Sequence, residues 1–254
     1  MDIEISTYKR RHEITIKELQ RLNIGREKML DIGFGKGELC VALKENGFEN
    51  ISGIDPALSS AEHLRKQGIA CAQGSIYDRA PEAMRGQYKV VFMYGMIEHL
   101  YNPVLAVERA KEYLMDYGYM FWSVPLFDRM EEDLTPVVNN FNAEHMNYFS
   151  EVSLDNIARL NGLQRVAGFP EVLTELGDSK AYGILAVYQV GGEAESIRKD
   201  CITAKSIAEY YSRITQNYSI NMERVKELRD AGEEIVIWGT GAYMKNLWAT
   251  AGLD

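Results

Sequence analysis

A short apolar segment followed by a glycine-rich turn constrains the fold of this chain more than any other feature. Met29–Ile32 is apolar apart from Asp31, and Gly33, Gly35 and Gly37 follow it directly, just before a helical pattern. A buried strand, a glycine turn and a helix in this order are typical of nucleotide-binding α/β proteins. The glycines allow a tight turn and the close approach of a ligand. The free N–H groups that begin the helix favour an anionic or acceptor-rich ligand.

The spacing of these glycines distinguishes between nucleotide-binding motifs. A dinucleotide fingerprint, G-x-G-x-x-G, requires its third glycine at the position that Glu38 occupies. The third glycine of this chain, Gly37, comes one position too early. The phosphate-binding sequence G-x-x-x-x-G-K-[ST] is absent from the chain. The turn therefore differs from both common phosphate-binding motifs.

Strands and helices alternate along the first half of the chain. This alternation predicts a doubly wound parallel sheet with right-handed crossovers and a ligand site at the carboxyl ends of the strands. A helix is predicted over Val104–Met115. The predicted strands are Met29–Ile32, Asn50–Asp55, Ile69–Gln73, Tyr88–Met93 and Gly118–Val124.

An acid at the end of the second predicted strand supports a nucleotide-like ligand. Asp55 follows the apolar residues of that strand and lies 18 residues after Gly37. A carboxylate at this position can accept hydrogen bonds from both ribose hydroxyls. The alternative for Asp55 is an ordinary surface acid.

Composition limits the classes of function. The chain has 254 residues and a formal net charge of −9, which disfavours nucleic-acid binding through a basic face. We expect a cytoplasmic protein without a membrane span, because the N-terminus is acidic and no apolar run approaches the length of such a span. Cys40, Cys71 and Cys201 are widely spaced and predict no disulfide framework. No local spacing of ligand residues predicts a metal site.

The chain is predicted to have three parts: a helical lead-in over residues 1–27, a cofactor-binding domain over 28–191, and an extension over 192–254. The extension is predicted to be helical over Glu193–Asp230. It ends in a further strand–glycine–helix unit whose strand begins at Glu234 and whose turn is at Gly239–Gly241, and this turn is either a second cofactor site or a plain glycine turn. Because a lone unit of this kind cannot bury both faces of its strand, we expect the natural protein to continue beyond Asp254.

Several motifs together resemble those of class I S-adenosylmethionine (SAM)-dependent methyltransferases of the small-molecule group, over about residues 25–190. They are the D-I-G-x-G-x-G run at Asp31–Gly37, Asp55, Glu98–His99 and Glu144–Ser150. The resemblance implies a Rossmann-like sheet of seven mostly parallel strands with helices on both faces. The last two strands are then the hairpin Leu163–Phe169 and Ala181–Val190, joined by a long turn over Glu171–Lys180 that helps to shape the acceptor pocket.

The implied cofactor is SAM, with S-adenosylhomocysteine as the product. Cofactor contacts are expected from the glycine turn, the ends of the first, second and fourth strands, and the residues after the third. The expected residues are Asp31, Gly33, Phe34, Gly35, Gly37, Asp55, Pro56, Ser75, Ile76, Met93 and Tyr94.

Two features also resemble those of bacterial sugar C-methyltransferases. These are the E-H-x-x-Y-F-S run at Glu144–Ser150 and the I-x-G-x-G-A unit at Ile237–Ala242. In that family the histidine of the E-H pair is the general base. The resemblance therefore implies that His145 is the base, with Glu144 as its orienting partner or as a substrate ligand. His99, preceded by Glu98, is the second choice for the base.

The predicted function is SAM-dependent methyl transfer to an oxygen or carbon of a small molecule or saccharide. Histidine suits the removal of the acceptor's proton near neutral pH. Two alternatives come from other classes: an NAD-dependent oxidoreductase, against which Glu38 counts, and a non-catalytic SAM-binding scaffold. The sequence leaves the acceptor and the oligomeric state open.

Overall fold

The structure is a computed structural model that describes residues 2–134, 140–141, 144–176, 179–191 and 196–236. Its main elements are helices and strands that alternate, followed by a β-hairpin and a long helix. In chain order they are α1 (Asp2–Arg21), β1 (Met29–Ile32), α2 (Glu38–Glu45), β2 (Ile51–Asp55), α3 (Leu58–Lys66), β3 (Ala70–Gln73), β4 (Tyr88–Tyr94), α4 (Pro103–Lys111), β5 (Leu114–Pro125), α5 (Glu151–Leu160), β6 (Leu163–Leu176), β7 (Ser179–Val190) and α6 (Thr203–Asp230).

The strands form one seven-stranded sheet in the order β3-β2-β1-β4-β5-β7-β6. The first five strands pair in parallel, and β7 is antiparallel to both of its neighbours. The chain order reverses between β1 and β4, which lie side by side. This reversal leaves a crevice at the carboxyl ends of the two strands, where doubly wound sheets bind ligands. The predicted fold class is confirmed.

Successive residues of a strand point to opposite sides of the sheet, and the central strands are buried on both faces. One apolar cluster contains Leu30, Val91 and Trp122, and the other contains Val90 and Phe121. All five side chains are fully buried. The carboxyl ends of the strands are thus held by a core that packs on both sides of the sheet.

Helix α1 docks on the sheet through a buried polar network. The guanidinium of Arg11 donates to the carboxylate of Glu171 on β6 at 3.0 Å. The hydroxyl of Ser123, on β5, donates to the same carboxylate at 2.8 Å. The hydroxyls of Thr15 and Tyr94 lie 2.8 Å apart and share a hydrogen bond. Because these pairs join residues far apart in the chain, they hold α1 over the ends of β4, β5 and β6.

Helix α6 packs on the segment that follows β5. Tyr210 and Ile214 of α6 are buried against Phe127 and Met130. At the start of the helix, Asp200 accepts hydrogen bonds from the backbone N–H groups of residues 202 and 203. These bonds satisfy free N–H groups at the first turn.

The predicted boundaries of α4 and β5 are wrong. The helix predicted to reach Met115 ends at Lys111, and β5 begins at Leu114 rather than at Gly118. The early part of β5 pairs with Tyr88 across an irregularity, close to which Tyr117 has a φ of 56°. This local bulge makes the segment resemble a turn in sequence, although it belongs to the strand.

The long turn predicted over Glu171–Lys180 is also wrong. Pairing continues from Glu171 opposite Gly183 to Leu176 opposite Ser179, so most of this stretch belongs to β6 and β7. Pro170 lies within β6, which is an edge strand. An edge strand tolerates proline because the missing N–H can face away from the partner strand.

In the C-terminal extension, the helix predicted over Glu193–Asp230 begins only at Thr203. Residues 196–202 are not helical, and residues 234–236 are not in a strand. The predicted glycine unit around Gly239–Gly241, including Ile237–Ala242, lies outside the described residues. Within the described ranges, no helix has both the length and the apolar character that crossing a membrane requires.

Candidate functional site

A cleft of about 1170 Å³ lies between α1 and the glycine turn. Its lining comes from the turn itself, from the end of β4 and from one face each of α1, α2 and α3. The lining residues are Lys9, Arg11, His12, Glu13, Ile16, Asp31, Gly33, Phe34, Gly35, Lys36, Glu38, Leu39, Val41, Ala42, Glu45, Asn46, His63, Gln67, Tyr94 and Gly95. Five of the predicted cofactor residues are in this set.

The glycine turn requires glycine for two separate reasons. Gly33 has a φ of +73°, and a Cβ atom there would lie 3.0 Å from the sulfur of Met96. Gly37 has a φ of +76°, and a Cβ atom there would collide with the side chain of Leu64. L-residues with a side chain rarely adopt such φ values. The turn is therefore both left-handed and closely packed, and Met96 connects it to the loop after β4.

The carboxylate of Asp55 ties the glycine turn to the start of α3. One of its oxygens accepts a hydrogen bond from the N–H of Gly35 at 2.9 Å, and the other accepts from the N–H of Ala57 at 2.8 Å. Asp55 is buried. Each carboxylate oxygen retains further capacity to accept a hydrogen bond. Asp55 thus contacts the glycine turn that lines the cleft, although it is not itself among the lining residues.

Asp31 lies in β1 beside the turn and is 3% exposed. Burial, with a smaller contribution from nearby Asp55, raises the pKa of its carboxyl to about 7. The thiol of Cys40 donates a weak hydrogen bond to it at 3.5 Å. Since Asp31 lines the cleft, it would supply negative charge there once it is ionised.

The other predicted cofactor residues have different surroundings. Gly37, Pro56, Ser75, Ile76 and Met93 do not line the cleft. Met93 and Ile76 are buried in the core. Pro56 is exposed, and Ser75 is half-buried with its N–H donating to the carboxylate of Asp78. These residues lie around the same edge of the sheet, close to the strand ends.

Helix α1 contributes lining residues that the sequence did not single out. Lys9, Arg11, His12 and Glu13 all face the cleft. Burial, followed by the charge of Arg11, lowers the pKa of His12 to about 4. The only signal in the sequence is a partial apolar stripe of the lead-in helix, formed by Ile14, Ile16, Leu19 and Leu22. This stripe predicts that the helix packs on another element but does not indicate which one.

A second group of polar residues lies where two loops meet beyond β4. The backbone carbonyl of Glu98 accepts hydrogen bonds from the N–H groups of Met146 and Asn147, at 2.9 and 3.0 Å. This pairing brings the ring of His145 to 4.9 Å from the ring of His99, in an edge-to-face arrangement. The predicted first and second choices for the base are therefore neighbours.

The orientation of His99 is set by a backbone contact. Its Nδ1 lies 2.8 Å from the carbonyl oxygen of Glu144. Because a carbonyl can only accept, Nδ1 carries the proton and Nε2 is the nitrogen with a lone pair. Glu144 thus positions His99 through its main chain, while its exposed side chain lies nearby.

Burial disfavours the charged forms of Glu98 and His145. It raises the pKa of Glu98, which is 4% exposed. Burial and the neighbouring His99 lower the pKa of His145, so its imidazole is uncharged and can accept a proton near neutral pH. Ligand atoms of Glu98, His99 and His145 lie within 4.8 Å of one another, close enough to surround a metal ion. Local spacing alone could not predict this cluster, because His145 comes from a distant loop.

Comparison with known proteins identifies the family. A family model described as a methyltransferase domain matches residues 7–167, which is more than half of the chain. A ubiquinone biosynthesis O-methyltransferase of Pseudomonas aeruginosa is 30% identical over 109 residues, which are 41% of this chain and 47% of that protein. The EEF1A lysine methyltransferase 2 of Mus musculus is 34% identical over 93 residues, which are 34% of this chain and 38% of that protein. The chain thus spans less than half of the length of these curated relatives.

A solved structure supports the fold. A SAM-dependent methyltransferase from Mesorhizobium loti superposes with a TM-score of 0.53 at 13% identity, covering 65% of this chain and 91% of that one. The family match favours methyl transfer over the NAD-dependent and non-catalytic alternatives, and it implies SAM as the cofactor. The chain belongs to the methyltransferase-domain family.

Proposed function

We propose that this enzyme transfers the methyl group of SAM to an oxygen or carbon atom of a small molecule or saccharide, with His145 as general base. The observation that carries the proposal is the His99–His145 pair. His99 lies on the loop that follows β4, and Met96 of this loop packs against the glycine turn. His145 lies on the second loop, which pairs with the backbone of Glu98. A proton acceptor near the cofactor is what such a transfer requires.

The proposed cofactor contacts follow the predicted residues. The turn Gly33–Gly37 is proposed to hold the methionine part of SAM, with Phe34 beside it, and the carboxylate of Asp55 to accept the ribose hydroxyls. Pro56, Ser75 and Ile76 are proposed to flank the adenine. Asp31 and Tyr94 line the cleft and are proposed to face the methionine end, with Met93 supporting the end of β4 from the core.

The proposed reaction is an in-line displacement. The acceptor nucleophile attacks the methyl carbon as the carbon–sulfur bond of the sulfonium breaks, and S-adenosylhomocysteine leaves. His145 takes the proton of the acceptor, and His99 and Glu144 hold the surrounding loops in position. Orientation of the two reactants and removal of this proton are the contributions that the protein can make.

The acceptor class is supported by two resemblances. The curated relative from Pseudomonas aeruginosa is by name an O-methyltransferase of ubiquinone biosynthesis. The Glu144–Ser150 run resembles that of bacterial sugar C-methyltransferases. The net charge of −9 disfavours a nucleic-acid acceptor. A small phenol or acid, or a saccharide, is therefore the proposed acceptor.

An acceptor screen tests this proposal. Purified protein would be incubated with SAM and with phenols, small acids, nucleotide sugars or free saccharides, and the S-adenosylhomocysteine formed would be measured. Acceptor-dependent product from one of these classes would support the proposal. Product formed only with a protein or nucleic-acid acceptor would contradict it, and binding of SAM without any transfer would favour a scaffold.

The charge state of Asp31 predicts a pH dependence of SAM binding. The cationic groups of SAM favour the carboxylate, so the pKa of Asp31 is lower with SAM bound than the value of about 7 without it. Binding therefore releases a proton, and SAM affinity is expected to rise with pH up to about 7 and then to level off. The rise is about tenfold per pH unit at most, since one proton is involved.

Calorimetric titration with SAM at pH 5.5 and pH 8 measures this effect. An Asp31→Asn variant, which cannot ionise at this position, is the matched control and is expected to show a much smaller difference between the two pH values. Equal pH dependence in both proteins would show that Asp31 does not sense the cofactor.

A further inference from the structure

We propose that Glu98, His99 and His145 form a binding site for a divalent transition-metal ion such as Zn²⁺. Each residue offers one ligand atom, and the three atoms lie within 4.8 Å of one another. Two imidazoles and a carboxylate are donors that suit Zn²⁺, Mn²⁺ and Fe²⁺ better than Mg²⁺ or Ca²⁺, which prefer oxygen alone.

The geometry needs only a small adjustment to close around an ion. Zinc binds histidine nitrogen and carboxylate oxygen at about 2.0–2.2 Å, so tetrahedral ligands lie about 3.4 Å apart. A separation of at most 4.8 Å therefore has to shrink by no more than about 1.4 Å. His99 is exposed and His145 is half-buried, so small rotations of their side chains can supply this movement.

Two independent observations indicate that the cluster can bind a ligand. Glu98 is 4% exposed, and its Oε2 atom has no hydrogen-bond partner among the described residues. A buried carboxylate oxygen without a partner is costly, and a bound cation would satisfy it. The hydrogen bond from Nδ1 of His99 to the carbonyl of Glu144 leaves Nε2 for the ion. This is the usual outer support of a metal-binding histidine.

The site would leave coordination positions open. Three protein ligands with an exposed side are typical of a catalytic metal site, where water or substrate completes the coordination. If the methyl transfer proposed above is to an oxygen, the ion would bind the acceptor hydroxyl and lower its pKa, which favours loss of its proton to water. The ion would then replace the base His145, because ligation uses the lone pair of its imidazole. This inference rests on the proposed function for the identity of the reaction, but not for the binding of the ion.

Titration of the tag-free, chelator-treated protein with Zn²⁺ tests the site directly. Calorimetry is expected to show one ion bound per chain. Glu98→Gln and His145→Asn are expected to weaken binding by at least about 100-fold, since even the outer partners of ligands contribute 10- to 100-fold. His63→Asn, which removes an exposed histidine on α3, is the matched control and is expected to leave the affinity unchanged.

Thermal unfolding distinguishes a loss of Zn²⁺ binding from a loss of folding. Zn²⁺ is expected to raise the melting temperature of the wild type and of His63→Asn, but not that of Glu98→Gln, whose melting without Zn²⁺ shows whether it is folded. The absence of stoichiometric binding by the wild type, or equal binding by Glu98→Gln and His145→Asn, would overturn the site. The Zn²⁺ titration uses no cofactor, so its result does not depend on the proposed function. If the protein binds Zn²⁺ through these residues but does not bind S-adenosylhomocysteine, the ion site is supported and the proposed function is contradicted.

Discussion

Replacing His145 with glutamine is expected to slow methyl transfer by about 10²- to 10⁴-fold, the usual contribution of a positioned acid–base group. Glutamine is similar in size and can hydrogen-bond, but it cannot accept the acceptor's proton. His145 lies 4.9 Å from His99 on a loop tied to the backbone of Glu98, so its position is set by main-chain contacts that the substitution leaves in place. The loss should therefore fall on kcat, while the affinity for S-adenosylhomocysteine stays close to that of the wild type.

The matched control is Met146→Gln, which places the same side chain one residue away, where the native side chain is 62% exposed. Single-turnover rates with the acceptor identified by the screen separate the chemical step from product release. A His145→Gln rate within about twofold of the control would contradict the role of His145. The His99→Gln variant would then test whether His99 is the base instead.

Replacing Glu171 with alanine is expected to destabilise the protein by about 3–5 kcal/mol, because it removes one partner of a buried ion pair. The Glu171 carboxylate accepts hydrogen bonds from Arg11 and from Ser123, and both Arg11 and Glu171 are less than 10% exposed. Without the carboxylate, the guanidinium stays buried beside an uncharged residue. Since Arg11 lies on α1, the loss should also loosen this helix over the cleft. Urea unfolding measures the change in the free energy of unfolding.

The double variant Arg11→Met/Glu171→Leu is the control for this prediction. It replaces both charges with apolar side chains, and such exchanges of a buried pair are often neutral or stabilising. We expect it to be more stable than Glu171→Ala, and a double-mutant cycle gives the coupling between the two residues. If Glu171→Ala costs less than about 1 kcal/mol, the pair does not hold α1 in place, because surface ion pairs contribute that little.

The sequence predicts best what is determined locally. The strand β1, the turn Gly33–Gly37 and the acid of Asp55 are each marked by a few adjacent residues, and the structure brings them to one edge of the sheet. Glycine at a left-handed φ and an acid at a strand end have physical causes that a single segment displays. The alternation of strands and helices likewise predicts the sheet, because parallel strands need long crossovers.

The sequence fails where distant segments decide the outcome. The contact that docks α1 joins residues 160 positions apart, Arg11 and Glu171, and neither shows its partner in the local pattern. The same holds for the cluster of Glu98, His99 and His145, which depends on backbone pairing between two loops. The predicted β6–β7 hairpin is shorter than the observed one. Proline disfavours a strand except at a sheet edge, and the strand order that places Pro170 at an edge is set by distant segments.

The central claim is that SAM binds at the glycine turn beside Asp55. Titration calorimetry with S-adenosylhomocysteine tests this claim most directly, with NAD as the comparison ligand. The proteins compared are the wild type, Asp55→Asn and the control Glu45→Gln, which replaces an exposed acid of the same cleft. We predict one site per chain in the wild type. Asp55→Asn is expected to bind S-adenosylhomocysteine about 10- to 100-fold more weakly, because a hydrogen bond to a charged group contributes about 1.5–3 kcal/mol. The affinity of Glu45→Gln is expected to change little. Binding of NAD without binding of S-adenosylhomocysteine, or equal affinities in wild type and Asp55→Asn, would contradict the claim.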